Sequence, residues 1–143
     1  DVGIQRVLRK FSPSPQQPRV EGSRFIGMSL FFYSVNFAVH ARVLPTRGRR
    51  GDTTYSAAEL RTAAEAMFAE GHVSLYQRMR GVDPLTPDGA IAWRAFDLLY
   101  AARLLIDGYG FTADDRAVEF VGEINGTEVE WTLGALYAKI SSL

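Results

Sequence analysis

Tyr109 stands between Gly108 and Gly110, directly after an apolar segment with helical spacing. Glycines on both sides let the backbone turn sharply and leave an aromatic ring exposed. A ring in such a loop can stack on a nucleobase, which contributes about 1–3 kcal/mol per base. The same ring can instead fold back as a hydrophobic cap on the helix. From the residues alone, both interpretations stand.

The sequence contains no recognisable catalytic constellation or metal site. It has no Cys, which excludes thiolate catalysis, disulfides and Cys-ligated metals. Its two histidines, His40 and His72, do not have the spacing of a zinc site. No Walker loop, Gly-x-Ser-x-Gly elbow or dinucleotide fingerprint occurs, and Asp114-Asp115 reads more simply as a helix cap.

Composition narrows the class of protein. The 143 residues suit one domain, and the 47% apolar content is enough for a hydrophobic core. Lys+Arg and Asp+Glu both number 16, so no broad electrostatic footprint for nucleic acid is expected. The basic cluster at 47–50 is interpreted as a solvated loop, with a phosphate-binding patch as the less favoured alternative.

The sequence predicts neither a targeting signal nor a membrane-spanning segment. No apolar run approaches the about 20 residues of a membrane span, and no secretory signal is present. The chain begins at Asp1 rather than Met, which is consistent with a processed or trimmed piece of a longer protein.

The first third of the chain is expected to consist of a connector followed by a segment of the hydrophobic core. Residues 1–24 read as a connector, with a short strand at Val2–Leu8 and an extended Pro-rich stretch at Ser12–Pro18. The apolar run that follows predicts a buried strand to about Phe32 and a helix from near Ser34. Its aromatic residues are interpreted mainly as core, with a ligand platform as the alternative.

Four further helices are expected from apolar periodicity. They span Ser56 to about Ala69, Val73–Arg80, about Ala90 to Ile106, and about Glu130 to Ser141. Ser56 and Glu59 have the spacing of a capping box, and Gly71 suits a helix C-terminus. Asp97 and Arg103 are predicted to lie off the buried face of their helix.

The region after Tyr109 is expected to form a helix start, a strand and a tight turn. Thr112–Asp115 resembles a helix N-terminus, and a period-two pattern predicts a strand from Val118. Asn125-Gly126 is a strong turn signal, and with Thr127 it is a glycosylation sequon if the chain is secreted. The order of elements predicts an α/β or α+β class.

Three segments in the same order resemble one known family. They are Arg24-Phe-Ile-Gly-Met-Ser-Leu-Phe-Phe-Tyr-Ser-Val-Asn-Phe37, Ala95-Phe-Asp-Leu-Leu-Tyr-Ala-Ala-Arg-Leu-Leu-Ile-Asp-Gly-Tyr-Gly-Phe111 and Val121-Gly-Glu-Ile-Asn-Gly-Thr-Glu-Val-Glu-Trp-Thr-Leu-Gly134. They are similar to the C-terminal lobe of the apyrases, which are the ectonucleoside triphosphate diphosphohydrolases and Golgi nucleoside diphosphatases. The resemblance covers about residues 24–140.

The resemblance implies a fold, a substrate class and a missing part. It implies an actin-like, RNase-H-type α/β fold in which residues 25–143 are the C-terminal lobe of a two-lobed enzyme. Family members cleave terminal phosphates from nucleoside tri- and diphosphates with Ca²⁺ or Mg²⁺, whose ligands are expected outside this chain. The expected partner is the N-terminal half of the same enzyme, and no nucleic acid is expected.

The resemblance also assigns roles to five residues. In the family, the nucleobase is clamped between aromatic rings of the C-terminal lobe. Tyr109 matches one of these rings, and Phe32 or Tyr33 lies in the segment that supplies the other. Trp131 and Asp107 are expected to shape the site from beneath, with Trp131 mainly packing.

The sequence departs from the family in two respects. The phosphate-binding loops, the catalytic glutamate and the Gly-Gly-Ala-Ser segment precede this region in family members, and none is present here. A chain of these residues alone is therefore expected to bind the base without hydrolysing nucleotides, or alternatively to be a non-catalytic interaction domain. The family's cysteine pair matches Ala69 and Ala95, and the compartment is left undetermined.

Overall fold

The fold of the described residues combines helices with two small two-stranded sheets. A computed structural model describes residues 2–4, 6, 24–47, 53–124 and 126–128. The helices are α1 (Leu30–His40), α2 (Ala57–Glu70), α3 (His72–Met79) and α4 (Ile91–Arg103), and the strands are β1 (Phe25–Gly27), β2 (Val118–Phe120), β3 (Glu123–Ile124) and β4 (Thr127–Glu128). A 3₁₀ turn at Asp88–Ala90 precedes α4, and a π-helical turn at Leu104–Gly108 extends it. This mixture agrees with the predicted α/β class.

The central pairing is parallel. Strand β1 pairs with β2, with Phe25 opposite Val118 and Gly27 opposite Phe120. Val118 and Phe120 are buried while Glu119 between them is partly exposed, which confirms the predicted period-two pattern over these residues. Strands β3 and β4 form an antiparallel pair whose turn contains Gly126 at φ 77°, which confirms the predicted turn.

Helix α4 is the centre of the hydrophobic core. It packs against both α1 and α2. The side chains of Phe37, Leu60 and Leu98, one from each helix, have no exposed surface. The predicted apolar stripe of α4 is therefore confirmed, and burial of these side chains is the main favourable contribution to folding.

Helix α2 begins and ends as predicted. The Ser56 hydroxyl accepts a hydrogen bond from the Glu59 backbone N–H at 3.2 Å, and the Glu59 carboxylate accepts one from the Ser56 N–H at 2.8 Å. This reciprocal pair satisfies two backbone donors that a helix start leaves free. Gly71 ends the helix at φ 84°, a backbone conformation that side chains with a Cβ rarely adopt.

Two predictions near the start of the chain were wrong. Residues 2–4 and 6 are helical rather than a strand, and Ile4 is buried in the core. Strand β1 ends at Gly27 and helix α1 starts at Leu30, several residues before the predicted boundary. A continuous apolar run has neither a period of two nor a period of 3.6, so its pattern does not fix this boundary.

The predicted helix start at Thr112 was also wrong. The segment forms a turn, in which the Asp115 N–H donates to the Thr112 carbonyl at 3.2 Å. The Asp115 carboxylate then accepts from the Ala117 N–H at 3.1 Å, so this aspartate caps a turn that leads into β2. The predicted Pro-rich connector and C-terminal helix lie outside the described residues.

Gly27 is the first position at which we predict a measurable loss of stability. A Cβ atom there would lie 2.8 Å from the Phe120 ring and 3.2 Å from Val118. Because both neighbours are buried and cannot withdraw, we expect Gly27→Ala to lower the free energy of unfolding by about 1–3 kcal/mol in urea denaturation. Gly89→Ala is the control, since nothing lies within 4 Å of its Cβ position. Equal stability of the two variants would contradict this packing.

Glu70 and Arg78 provide a prediction about pH. Glu70 accepts two hydrogen bonds from Arg78, at 2.8 and 2.5 Å, and these bonds hold the pKa of Glu70 below its usual 4.5. A carboxylate with a lowered pKa stabilises the fold above its unfolded pKa, and this stability is lost as the pH falls through the folded value. We therefore expect Glu70→Gln to cost up to about 1 kcal/mol at pH 7, because the pair is partly exposed.

The difference in stability between wild type and Glu70→Gln should shrink as the pH falls from 4.5 and disappear below the lowered pKa of Glu70. Thermal unfolding across pH measures this difference. Glu65→Gln on the same helix is the control, because Glu65 is mostly exposed and its contact with Arg61 is 3.7 Å long. A pH-independent difference between the variants would show that charge on Glu70 is not the cause.

Candidate functional site

Phe32 and Tyr33 lie in the first turn of α1, directly after the parallel strand pair. Their ring centroids are 5.6 Å apart, and both residues are half-buried. The Phe32 ring lies against Gly122, where an added Cβ would approach it to 2.7 Å. The two rings could not be told apart from the residues alone, and the structure shows that Phe32 packs against the segment after β2.

Tyr109 follows the π-helical turn at the end of α4. Its backbone N–H donates to the Leu104 carbonyl at 3.0 Å, a hydrogen bond that spans five residues instead of four. The next residue, Gly110, has φ 73°, which confirms that the backbone turns sharply here. Tyr109 is 49% exposed. Half of this residue's surface is therefore accessible to a ligand.

Phe111 fixes the position of the Tyr109 loop. Its N–H donates to the Leu105 carbonyl at 3.0 Å, and its ring meets Phe25 edge-on with centroids 5.1 Å apart. Phe111 is buried while Tyr109 is not. The loop is thus attached to the sheet through one aromatic residue and exposes another.

Asp107 lies inside the π-helical turn and pairs with Arg103. The Arg103 Nη2 and Asp107 Oδ2 atoms are 2.5 Å apart, and the side chains are 8% and 25% exposed. The prediction that Arg103 lies off the buried face was therefore wrong. The buried charge of Arg103 is tolerated because the carboxylate of Asp107, one helical turn later, neutralises it. The i,i+4 spacing of the two residues is the feature of the sequence that indicates such a pair.

The structure brings two of the three candidate rings together. Phe32 and Tyr33 are neighbours, and Phe32 lies against Gly122, beyond the C-terminal end of β2. Tyr109 is two residues from Phe111, which contacts Phe25 at the N-terminal end of β1. Trp131 lies outside the described residues.

A buried polar network around Asp83 was not predicted from the sequence. The Asp83 side chain accepts hydrogen bonds from Asn36 Nδ2 at 2.9 Å, Thr86 Oγ1 at 2.7 Å and the Leu85 N–H at 3.1 Å. Arg94 Nε in turn donates to Thr86 Oγ1 at 3.1 Å. The network joins α1, the loop before α4 and α4 itself, and the Asp-Pro-x-Thr turn pattern was the available signal.

The two histidines do not form a metal site. His40 Nδ1 lies 2.9 Å from the Asn36 carbonyl oxygen, and the His72 ring lies near the Tyr76 ring, with centroids 6.4 Å apart. Within the described part of the chain, no three His, Asp or Glu side chains are grouped so that they could hold a metal ion. The described residues therefore do not provide the oxygen-rich coordination that Ca²⁺ or Mg²⁺ requires.

A groove of about 960 Å³ lies between α2 and α4 and is lined mainly by apolar side chains. Phe96 and Tyr100 stack along one wall, with ring centroids 6.4 Å apart and nearly parallel planes. Asp97 is also in this wall, and burial raises the pKa of its carboxyl, with Arg94 acting in the opposite direction. None of the four candidate site residues that the structure describes lines this groove.

A match to a known protein family identifies the class of protein to which the chain belongs. The family model of the GDA1/CD39 (nucleoside phosphatase) family matches residues 14–143. The chain therefore belongs to the GDA1/CD39 family of nucleoside phosphatases. This family has an actin-like ATPase fold and is generally dependent on divalent cations. No curated protein matches the chain.

A membrane-spanning helix is not found in the part of the chain that the structure describes.

The Arg103–Asp107 pair leads to the third prediction. Asp107→Ala leaves a buried guanidinium without its countercharge, so we expect a loss near the lower end of about 3–5 kcal/mol, because Asp107 is a quarter exposed. The double variant Arg103→Leu/Asp107→Ala removes both charges and should recover most of this loss. Urea denaturation checks both, with exposed Asp114→Ala as a control. A change below about 0.5 kcal/mol for Asp107→Ala would contradict the ion pair.

Proposed function

We propose that this chain is the nucleobase-binding C-terminal part of a nucleoside tri-/diphosphate phosphohydrolase of the apyrase type. Its fold is then one RNase-H-like lobe of a two-lobed enzyme. The phosphate-binding loops and the catalytic glutamate lie in polypeptide outside this chain. Membership of the nucleoside phosphatase family supports the substrate class.

The observation that carries the base-binding role is the exposure of Tyr109. The residue is 49% exposed although the elements on either side of it are anchored in the core. Its backbone is held by the hydrogen bond to Leu104, and a Cβ on the preceding Gly108 would lie 2.6 Å from the Leu104 side chain. A ring on such a rigid turn loses little freedom when a base stacks on it, which favours binding.

A second aromatic group of the proposed function lies at the start of α1, towards the other end of the strand pair from the Tyr109 loop. Phe32 is held against Gly122 and lies beside Tyr33. We therefore assign stacking on the base to Tyr33 and support of that ring to Phe32. Asp107 and Trp131 are proposed to shape the site, with Asp107 acting through its ion pair with Arg103.

The proposed division of labour follows the chemistry of phosphoryl transfer. Positioning and charge stabilisation dominate this reaction, so a lobe that holds the base also fixes where the phosphates lie. The aromatic side chains of this chain bind and orient the nucleoside end of the substrate. A divalent cation, when bound by the other part of the enzyme, would neutralise charge on the phosphate oxygens.

The fourth prediction tests Tyr109 in the enzyme as its gene encodes it. Loss of stacking worth about 1–3 kcal/mol corresponds to a fall of roughly 5- to 150-fold in kcat/KM. We expect this fall for Tyr109→Ala with a nucleoside diphosphate in Ca²⁺ or Mg²⁺, and near wild-type values for Tyr109→Phe. Phosphate release in steady-state assays is the measurement.

Two controls separate base binding from general damage. Inorganic triphosphate has no base, so its hydrolysis should be the same in wild type and Tyr109→Ala. Trp93→Ala removes another exposed ring, from α4, and should leave both activities unchanged. Equal losses with nucleotide and inorganic substrate would contradict the stacking role, and an intact protein with no nucleotide affinity would favour the non-catalytic alternative.

The same assay separates Tyr33 from Phe32. Tyr33→Ala should raise KM for the nucleoside diphosphate more than Phe32→Ala does. Phe32→Ala should lower the melting temperature, because it leaves a cavity against Gly122. The reverse pattern would exchange the two assigned roles.

A further inference from the structure

The groove between α2 and α4 has an apolar floor and an aromatic rim. Ile4 and Leu99 line it and are buried, so they form its floor. Phe68 of α2 and Phe96 of α4 also line it, and they are 52% and 45% exposed. Large apolar side chains that stay exposed together around a concave surface are typical of a binding site.

The charged side chains that line the groove are both acidic. Glu65 lies on α2 and Asp97 lies on α4, so a carboxylate stands on each wall. Among the described residues, no Lys, Arg or His lines the groove. Because complementary charge favours one partner over another, the molecule that suits this surface is apolar and carries a positive charge.

Asp97 has one ionic partner in the part of the chain that the structure describes, and this contact is weak. Arg94 Nη1 lies 3.5 Å from Asp97 Oδ2, whereas such charged hydrogen bonds are normally about 2.7–2.9 Å long. Arg94 Nε donates instead to Thr86 Oγ1 at 3.1 Å, which holds the guanidinium towards the loop before α4.

The surroundings of Asp97 also favour a second cation. Burial raises the pKa of this carboxyl above its usual 3.8, because Arg94 does not fully replace the solvation that the carboxylate loses. A cation bound beside Asp97 would supply the missing compensation. The raised pKa is thus consistent with a carboxylate whose partner comes from outside the chain.

The aromatic pair next to Asp97 suits an organic ammonium group. The Phe96 and Tyr100 rings are stacked with an angle of 14° between their planes and 6.4 Å between their centroids. The faces of such rings carry negative charge density, and they attract quaternary and primary ammonium groups. Asp97 is the residue after Phe96, so a carboxylate and an aromatic face are available on the same wall.

The size of the groove indicates a small molecule rather than a folded partner. Its volume of about 960 Å³ lies at the upper end of the range of about 300–1,000 Å³ for small-molecule sites. Nine described residues line it, whereas a stable protein interface uses about 20–30 residues on each side.

We propose that the groove between α2 and α4 binds a small organic cation with an aromatic or aliphatic body. The body lies between Phe68 and Phe96, and the ammonium group lies next to Asp97. This site is additional to the proposed function and does not depend on it, because Tyr109, Tyr33 and Phe32 do not line the groove.

Three probes that share a phenylalkyl body and differ in charge test the proposal. They are 4-phenylbutylamine, 4-phenylbutan-1-ol and 4-phenylbutyrate, titrated by calorimetry at pH 7 into the whole product of the gene. We expect the amine to bind at least about 5-fold more tightly than the alcohol, because it adds ionic and cation–π attraction. The carboxylate should bind more weakly than the alcohol, because like charges repel.

Methyl-resolved NMR of the same protein locates the bound amine. The methyl signals of Ile4, Leu30 and Leu99 should shift during the titration, because these side chains line the groove. Leu85 is the internal reference, since it is 46% exposed and does not line the groove.

Asp97→Asn tests the role of the carboxylate with little change of shape. It should weaken binding of the amine to the level of the alcohol and leave binding of the alcohol unchanged. Asp88→Asn is the matched control, because Asp88 is an exposed carboxylate that pairs with Arg80 outside the groove. If Asp97→Asn does not fold, as judged by circular dichroism, the comparison of the three probes on the wild-type protein decides by itself.

Three results would overturn the proposal. Equal affinity of amine and alcohol would mean that the groove does not select positive charge. An absence of shifts at Ile4 and Leu99 up to about 10 mM amine, where a probe of this size should bind, would mean that the groove is covered or closed. Similar shifts at Leu85 and Leu99 would mean that the amine binds without a defined site.

Failure of this proposal can be distinguished from failure of the proposed function. The titrations with the three probes require no nucleotide and no catalysis. The Tyr109 assay reports base binding and is read against inorganic triphosphate. Selective binding of the amine with no effect of Tyr109→Ala would keep the cation site and remove the base-binding role.

Discussion

The buried ring of Phe120 is the contact on which the arrangement of strands and helices depends. It is 1% exposed and lies beneath Gly27, within 6.4 Å of the Phe31 and Tyr55 ring centroids. One side chain of β2 thus joins β1, the start of α1 and the segment before α2. The close approach of the two strands requires glycine at position 27, because any larger residue would displace this ring.

This packing determines where the candidate site residues lie. Strand β1 is held on β2, and helix α1 begins three residues after β1 ends. This short connection places Phe32 against Gly122. The aromatic contact between Phe25 and Phe111 holds the other end of the strand pair to the loop that carries Tyr109. The two groups of rings are therefore placed by the same pair of strands, from its two ends.

Features with a local physical cause could be predicted from the sequence. The capping box at Ser56, the end of α2 at Gly71 and the turn at Gly126 depend on residues close in the chain, and all three are confirmed. The boundary between β1 and α1 was wrong because it depends on long-range pairing with β2. The helix expected at Thr112 was wrong because the capping signal of an aspartate is the same for a turn as for a helix.

The candidate site was predictable only where it depends on residues close together in the chain. The glycines around Tyr109 indicated a sharp turn, which the positive φ of Gly110 confirms. The burial of Arg103 was not predictable from apolar periodicity, because a charged residue is normally assigned to the exposed face. Its countercharge at Asp107 is visible in the sequence, but the pattern does not show that the pair lies inside. The nucleobase roles stay predictions.

The π-helical turn at the end of α4 has a consequence for how this region can vary. The turn holds one residue more than a regular helical turn, as the five-residue bond from Tyr109 to Leu104 shows. Successive residues of an α-helix lie about 100° apart around its axis, so an extra residue in a regular helix would rotate every later side chain by that angle. The wide turn at 104–108 absorbs the extra residue, and the chain after it keeps its direction. The direction of the Tyr109 ring therefore depends on this turn staying wide, and regular winding of the same residues would redirect the ring without altering its chemistry.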